Sequence, residues 1–125
     1  MKTRTLGIAA VVSIVGLLAG MAAIAGARDL ATTRVSIEAE QGGFFGYLHS
    51  PKHNPCELNR SVKLYKQKGD HHDRSVDQLI GSDLAQPNGP DSQWNVNTDK
   101  SGKFYAFTKG TSSCKSDYSP TVHSQ

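Results

Sequence analysis

The sequence predicts an all-β fold, a single antiparallel β-sandwich of about seven strands closed by one disulfide, after an N-terminal signal helix. Beyond residue 27 helical periodicity is almost absent, and short alternating runs are separated by clusters of Gly, Pro, Asn, Asp and Ser. Short strands at such regular spacing are typical of sandwiches and barrels. The two cysteines of the chain suit one cross-link in a small domain.

The first 27 residues have the pattern of an export signal. Lys2 and Arg4 precede an uncharged run from Leu6 to Ala27, which ends in Ala-Gly-Ala. A basic start, an apolar run and a small-residue end describe a signal peptide that is cleaved after Ala27. The alternative is an uncleaved anchor, because the run is about long enough to cross a bilayer. We therefore expect 1–27 to be a signal peptide and 28–125 to be the β-sandwich domain.

Three strands are predicted in the first half of the mature domain. A polar loop from Pro51 to Asn59 separates the second from the third, and the alternation within each run indicates which side chains face the core. The predicted strands are Arg34–Glu40 with Val35, Ile37 and Ala39 facing inward, Phe44–Ser50, and Ser61–Gln67 with Val62 and Leu64 inside.

The second half begins with a charged connection from Lys68 to Asp77. The segment from Gln86 to Ser92 is dense in turn-forming residues, so it is expected to be a turn. The predicted strands here are Gln78–Asp83 around Leu79 and Ile80, Ser92–Thr98 with Trp94 and Val96 inward, Lys103–Thr108, and an edge strand within Pro120–His123.

Cys56 and Cys114 both lie in the mature domain. In an oxidising compartment an even number of cysteines favours a disulfide over free thiols. Closing a loop of this span restricts the unfolded chain by about 4 kcal/mol on the chain-entropy model. We therefore expect a Cys56–Cys114 bridge and a secreted, extracellular or cell-envelope location.

The charge balance argues against nucleic acid as a partner. The net charge of +3 includes Lys2 and Arg4, and without them 12 basic residues face 11 acidic ones. The remaining Lys and Arg are scattered, and no dense cluster marks a phosphate-binding face. The partner is left open, with a cell-wall carbohydrate or another secreted protein as the options, and no cofactor is expected.

Short motifs between Phe44 and Thr108 resemble a known family. Phe44-x-Gly46-x-Leu48-x-Ser50 and the following segment from Asn59 to Tyr65 are similar to the opening strands of carboxypeptidase-regulatory-like domains of the transthyretin-like (prealbumin-like) sandwich. Trp94-x-Val96 and Gly102-x-Phe104-x-Ala106 are similar to its later strands. The resemblance implies a folding, spacing or binding module and brings no catalytic residue.

One enzymatic branch of that fold, the transthyretin-related hydrolases of purine catabolism, ends in a Tyr-Arg-Gly-Ser tail. This chain ends in Ser119-Pro120-Thr121-Val122-His123-Ser124-Gln125. The tail is missing, so this branch is disfavoured.

The segment His71-His72-Asp73 is the most suggestive polar cluster in the sequence. Imidazoles beside a carboxylate are ligands that zinc and copper accept. However, neighbouring side chains on an extended backbone point to opposite faces. A solvated hairpin tip is therefore the favoured interpretation, and no metal site is predicted. His49 and His53 are likewise interpreted as surface residues, and Arg60 as the partner of a salt bridge at the edge of the sandwich.

Aromatic side chains offer a second kind of candidate site. Adjacent residues of a strand face opposite sides, so the pairs Phe44/Phe45 and Phe104/Tyr105 each place one ring outside the central core. Outward rings form a flat ligand-binding face unless loops cover them. The candidate ligand-binding residues are Phe45, Tyr47, Tyr65 and Tyr105.

The function expected from these observations is that of a secreted, non-catalytic β-sandwich that binds a ligand or has a structural role. No catalytic residue is predicted, because no Gly-x-Ser-x-Gly elbow or comparable context occurs. The alternative is a small secreted hydrolase or metal-dependent enzyme that uses histidines of the loops. Histidines that cluster in one cleft would favour the alternative, and an open aromatic surface would favour the binding module.

Overall fold

The computed structural model describes residues 29–124, and the predicted signal peptide with its cleavage after Ala27 lies outside the described residues. These residues form ten short strands and one helical turn, and the strands make two antiparallel sheets. The predicted antiparallel sandwich is confirmed, with more strands than the predicted seven. In chain order the elements are β1 (Arg34–Val35), β2 (Glu38–Glu40), β3 (Gly43–His49), α1 (His53–Cys56), β4 (Ser61–Lys66), β5 (Gln78–Leu84), β6 (Gln86–Asn88), β7 (Asp91–Asn97), β8 (Gly102–Thr108), β9 (Asp117–Tyr118) and β10 (Val122–Ser124). Within residues 29–124, no helix has the length and apolar character that a membrane crossing requires.

Five strands belong to each sheet. In sheet I the order is β1-β3-β7-β6, with β2 also paired to β3. In sheet II the order is β10-β8-β4-β5, with β9 also paired to β8. The long pairs β3/β7 and β4/β8 lie at the centre of their sheets, and β5 and β6 are edge strands.

The core lies between the inner faces of the two sheets. Trp94, Leu48 and Phe104 are fully buried there, and the rings of Phe44 and Phe104 meet across the core with their centroids 4.4 Å apart. The alternation of β3, β4 and β7 therefore produces the core that the sequence predicts, with Val62, Leu64, Trp94 and Val96 inside. The Trp94 indole N–H donates to the carbonyl oxygen of Ser36 at 3.1 Å, which satisfies the one polar group of this side chain.

Glycine 46 is needed where β3 passes over this tryptophan. A Cβ at Gly46 would collide with the Ser36 carbonyl oxygen and with Trp94 Nε1. The close approach of the backbone explains why β3 carries glycine between two aromatic residues, Phe45 and Tyr47.

Two predicted boundaries are wrong. The run Arg34–Glu40 is interrupted at Ser36 and Ile37, and Ala39, predicted to face inward, is exposed in β2. The segment Gln86–Ser92 is predicted to be a turn, but its first part forms β6 and its last two residues begin β7. Proline 87 is tolerated in β6 because this strand lies at a sheet edge.

The disulfide is present as predicted. Cys56 and Cys114 are bonded with their Cα atoms 5.6 Å apart, and both are fully buried. The bridge connects α1 to the loop after β8, whose Cys114 also pairs with Ala31 near the start of the described chain. A disulfide of this kind is typical of extracellular proteins.

The predicted edge salt bridge of Arg60 is wrong. This side chain is only 4 % exposed, and its guanidinium donates to the carbonyl oxygens of Cys56 and Lys109, both at 2.8 Å, and of Lys115 at 3.2 Å. It makes no ion pair with a carboxylate among residues 29–124. Burial lowers the pKa of Arg60. Arg60 therefore joins the two disulfide-linked loops through their backbones.

Candidate functional site

The outer face of sheet II is covered by the connection between β4 and β5, residues 68–77. Asp77 fixes this connection because its carboxylate accepts hydrogen bonds from the Tyr105 hydroxyl at 2.6 Å and from the N–H groups of Lys68 and Asp73, both at 2.8 Å. Burial raises the pKa of the Asp77 carboxyl, but these hydrogen bonds outweigh it and hold the pKa below its ordinary value. Burial and the bond to Asp77 also raise the pKa of Tyr105.

His72 lies between two aromatic rings of this face. Its ring stacks on Tyr105 with centroids 4.1 Å apart and on Tyr118 at 5.0 Å, and its Nε2 is 2.9 Å from Thr121 Oγ1. Burial lowers the pKa of His72, the charge of Asp77 raises it, and His71 lowers it further. The interpretation of this segment as a solvated hairpin tip is therefore wrong for His72, although His71 is exposed.

Arg74 completes the cover of sheet II. Its guanidinium carbon lies 3.8 Å from the ring centroid of Phe107, and its Nε donates to the Tyr118 hydroxyl at 2.8 Å. Beneath these contacts Tyr65 is 7 % exposed and Tyr105 is fully buried. As ligand-binding candidates Tyr65 and Tyr105 are therefore wrong, because the chain itself occupies their face.

The outer face of sheet I is open in comparison. Phe45 and Tyr47 point away from the core on β3, remain partly exposed, and contact each other edge to face with centroids 6.2 Å apart. In the β3/β7 register Asn95 lies opposite Phe45, and Gln93 lies opposite Tyr47. Two of the four predicted ligand-binding aromatics thus lie on an accessible surface beside amide side chains.

A shallow cavity adjoins these amides at the edge of sheet I. It has a volume of about 310 Å³, and the residues that line it are Asp83, Gln86, Pro87, Asn88, Gln93, Trp94 and Asn95. The Asn88 amide donates to Gln93 Oε1 at 2.5 Å, and Asp83 accepts from the backbone N–H of Asn95 at 2.8 Å. Polar donors and acceptors are therefore held in place beside the aromatic pair.

A histidine–carboxylate cluster lies at the other end of β3. His49 Nδ1 is 2.8 Å from Asp91 Oδ1 and 3.6 Å from Glu57 Oε2. The His49 side chain is 58 % exposed, that of Asp91 is 32 % exposed, and that of Glu57 is 1 % exposed. One buried carboxylate and one half-buried carboxylate thus converge on the Nδ1 atom of an exposed histidine.

The carboxylate of Glu57 is held from several sides. His53 Nδ1 contacts its Oε1 at 2.5 Å, and the backbone N–H of Ser50 donates to its Oε2 at 2.7 Å. The Ser92 hydroxyl donates to the Glu57 carbonyl oxygen at 2.6 Å and thereby connects this loop to β7. The predicted surface positions of His49 and His53 are confirmed, but the sequence does not reveal that both meet Glu57.

The spacing of His53 and Glu57, four residues apart, is the only local signal for this cluster. Asp91 is 42 residues from His49, so its contribution depends on the pairing of β3 with β7. Among residues 29–124 the group that could converge on a metal ion is His49, Glu57 and Asp91, and the predicted candidates His71, His72 and Asp73 are not brought together in this way.

Comparison with known proteins assigns no family. No protein-family model and no curated protein matches the chain. One matching solved structure is a hypothetical protein from Pyrococcus horikoshii, 15% identical with a TM-score of 0.36, covering 79% of this chain and 91% of that chain. Another is a superoxide reductase in the oxidised state, 13% identical with a TM-score of 0.35, covering 79% of this chain and 92% of that chain. With TM-scores this low, the two similarities support neither a family nor a function for this chain. The resemblance to transthyretin-like domains stays a prediction.

Proposed function

We propose that this protein is an exported, non-catalytic binding module whose ligand is a carbohydrate chain of the cell envelope or its surroundings. The binding surface is the outer face of sheet I, defined here by Phe45, Tyr47, Gln93 and Asn95 and called the aromatic–amide face. The observation that carries the proposal is that this aromatic pair is left accessible beside amides.

The chemistry of this face matches a sugar. A pyranose ring has an apolar C–H face and a rim of hydroxyl groups. Aromatic rings cover the apolar face, and each amide supplies both a donor and an acceptor to the hydroxyls. The alternation along β3 and β7 repeats aromatic and amide positions at intervals of two residues, so the face suits an extended chain better than a compact ligand.

Export is part of the same proposal. The apolar run that ends at Ala27 has the pattern of a secretory signal, and the Cys56–Cys114 bridge suits an oxidising compartment. A carbohydrate ligand of the envelope would be available there.

A small exported hydrolase that uses loop histidines is the second candidate. The observation in its favour is that His49 and His53 both contact the buried Glu57. Against it, His72 packs on sheet II and His123 lies in β10 of the same sheet, so the five histidines do not gather in one cleft.

Retention on insoluble polysaccharides tests the proposal. The purified protein is incubated with cellulose, chitin, xylan and peptidoglycan, and bound protein is measured after washing. We expect retention on at least one of them, and Tyr47→Ala should weaken it about tenfold, since aromatic stacking and packing of this kind are worth about 1–1.5 kcal/mol. Leu79→Ala is the matched control, because Leu79 is 51 % exposed on β5 of the other sheet.

Two results would overturn the proposal. One is the absence of retention on all four polysaccharides. The other is equal retention of the Tyr47→Ala and Leu79→Ala variants, which would exclude the aromatic–amide face. Release of reducing sugars from a retained polysaccharide, abolished by His53→Ala, would favour the hydrolase.

A further inference from the structure

Glu57 places a carboxylate in the interior without a permanent cation beside it. Among residues 29–124 its partners within ion-pair distance are His49 and His53, and neither Lys nor Arg contributes. A buried ionised carboxylate is unfavourable unless it is paired or coordinates a metal.

The atoms around Glu57 are spaced as metal ligands are. One ligand atom from each of His49, Glu57 and Asp91 lies within 4.8 Å of the other two. Ligand atoms about 2.1 Å from a tetrahedral ion are about 3.4 Å apart, and the distances from His49 Nδ1 to the two carboxylates, 2.8 and 3.6 Å, lie on either side of that value. Small side-chain rotations of His49 and Asp91 would therefore bring both distances to a value suitable for a metal ion.

From these observations we propose that His49, Glu57 and Asp91 bind one divalent transition-metal ion, for which Zn²⁺ is the appropriate probe. One imidazole nitrogen with two carboxylates is a donor set that Zn²⁺ accepts, whereas Ca²⁺ and Mg²⁺ prefer oxygen ligands alone. The ion would place a permanent positive charge beside the buried Glu57, where no Lys or Arg among residues 29–124 does so. The proposal does not depend on the carbohydrate ligand.

His53 acts as a positioning residue in this site. Its Nδ1 holds Oε1 of Glu57 while the Ser50 N–H fixes Oε2, so the carboxylate keeps its orientation with or without the ion. Hydrogen bonds to ligating carboxylates tune affinity by about 10–100-fold. The exposure of His49 gives the ion a path from solvent and leaves coordination positions open to water.

Calorimetric titration of the purified, tag-free protein with ZnCl₂ at pH 7.5 tests the site. We expect one equivalent to bind and the melting temperature to rise with the Zn²⁺ concentration. His49→Ala and Asp91→Asn change accessible ligands, so both variants should fold, and each should bind Zn²⁺ at least about 100-fold more weakly, beyond the range known for outer partners. His53→Ala should weaken binding about tenfold and keep one equivalent.

His71→Ala is the control, because His71 is exposed and lies outside the cluster. It should bind Zn²⁺ as the wild type does, and a hundredfold excess of Ca²⁺ should not compete. The proposal is overturned if the wild type binds no Zn²⁺, or if His49→Ala and His71→Ala bind it equally well. Because no sugar is present in this titration, failure of the carbohydrate proposal would leave the result unchanged.

Discussion

The outer faces of the two sheets carry similar aromatic residues but differ in how much of these residues is exposed. On sheet II, Tyr65 and Tyr105 stack with centroids 5.4 Å apart. His72 of the connection 68–77 stacks on Tyr105, and Arg74 lies over the neighbouring Phe107. On sheet I, Phe45 and Tyr47 stay partly exposed beside amides. The difference shows that an outward-facing aromatic residue is accessible only where no loop packs over its face of the sheet. The strand that carries the residue does not decide this.

The largest difference between the faces should appear on truncation of one tyrosine on each. Tyr105→Ala removes a buried ring and the hydrogen bond to Asp77, and should lower the free energy of unfolding by about 3–5 kcal/mol. Tyr47→Ala removes a partly exposed ring and should cost about 1 kcal/mol or less. Urea denaturation of both variants measures this difference. Equal losses would mean that the face of sheet I is as much a part of the core as that of sheet II.

Loss of the disulfide should have the next largest effect. The bridge closes a loop between residues 58 positions apart, so Cys56→Ser with Cys114→Ser should lower stability by about 4 kcal/mol on the entropy model, and by less if the reduced state retains structure. The bridge also holds α1, which carries His53 next to Glu57 at the end of sheet I. Thermal denaturation of the double variant beside the oxidised wild type provides the measurement. Equal melting temperatures would contradict the expected role.

Asp77→Asn tests what fixes the cover over sheet II. The variant keeps the shape of the side chain but loses the charge of the carboxylate, whose oxygens accept three hydrogen bonds. Its free energy of unfolding should be lower by about 2 kcal/mol. The folded-state pKa of Asp77 is lower than its unfolded pKa of about 3.9. The contribution of its carboxylate to the free energy of unfolding is therefore full above the unfolded pKa, and it is lost as the pH falls through the folded-state pKa.

The comparison to make is the difference in stability between wild type and Asp77→Asn from pH 6 down to pH 2. It should shrink below pH 4. A difference that is independent of pH would show that the charge of Asp77 is not what holds residues 68–77. Amide hydrogen exchange in that connection should increase in the variant.

The smallest effect expected is a pH dependence from His72. Its pKa is lowered by burial, so the unfolded chain takes up a proton first as the pH falls below about 6.5. The contribution of neutral His72 to the free energy of unfolding is therefore full above that pH. It decreases as the pH falls toward the lower folded-state pKa. His72→Phe, which keeps an aromatic ring in the stack, should lose less stability than the wild type between pH 7.5 and 5.5. His71→Ala should retain the wild-type slope, and identical slopes in all three proteins would contradict the assignment.

The sandwich could be predicted because its signals are local. In β4 and β7 the alternation alone places Val62, Leu64, Trp94 and Val96 in the core. The alternation rule fails at Ala39 because the strand is interrupted at Ser36. There the Ser36 hydroxyl oxygen accepts a hydrogen bond from the backbone N–H of Tyr47. The rule also fails at β6, where turn-forming residues pair with β7 and only Gly89, at φ +64°, and Pro90 lie between the two strands.

The candidate sites were less accessible to prediction because their contacts are long-range. Alternation identifies Phe45 and Tyr47 as outward-facing, yet the same rule selects Tyr65 and Tyr105, which residues 68–77 cover. The sequence predicts that Arg60 meets a carboxylate, but its partners are the Thr33 hydroxyl and backbone carbonyls up to 55 positions away. The cluster at Glu57 needs the β3/β7 pairing to bring Asp91 to His49, and its only local signal is the four-residue spacing of His53 and Glu57.

We propose that the aromatic–amide face binds ligand and that the outer face of sheet II serves only the fold. Titration of isotope-labelled protein with a soluble hexasaccharide of the retained polysaccharide, followed by amide chemical shifts in NMR spectra, tests it most directly. We predict that the changes concentrate in Gly43–His49 and Asp91–Asn97 and leave residues 68–77 unaffected. Changes that concentrate in residues 68–77, or a spectrum that does not respond, would contradict the account.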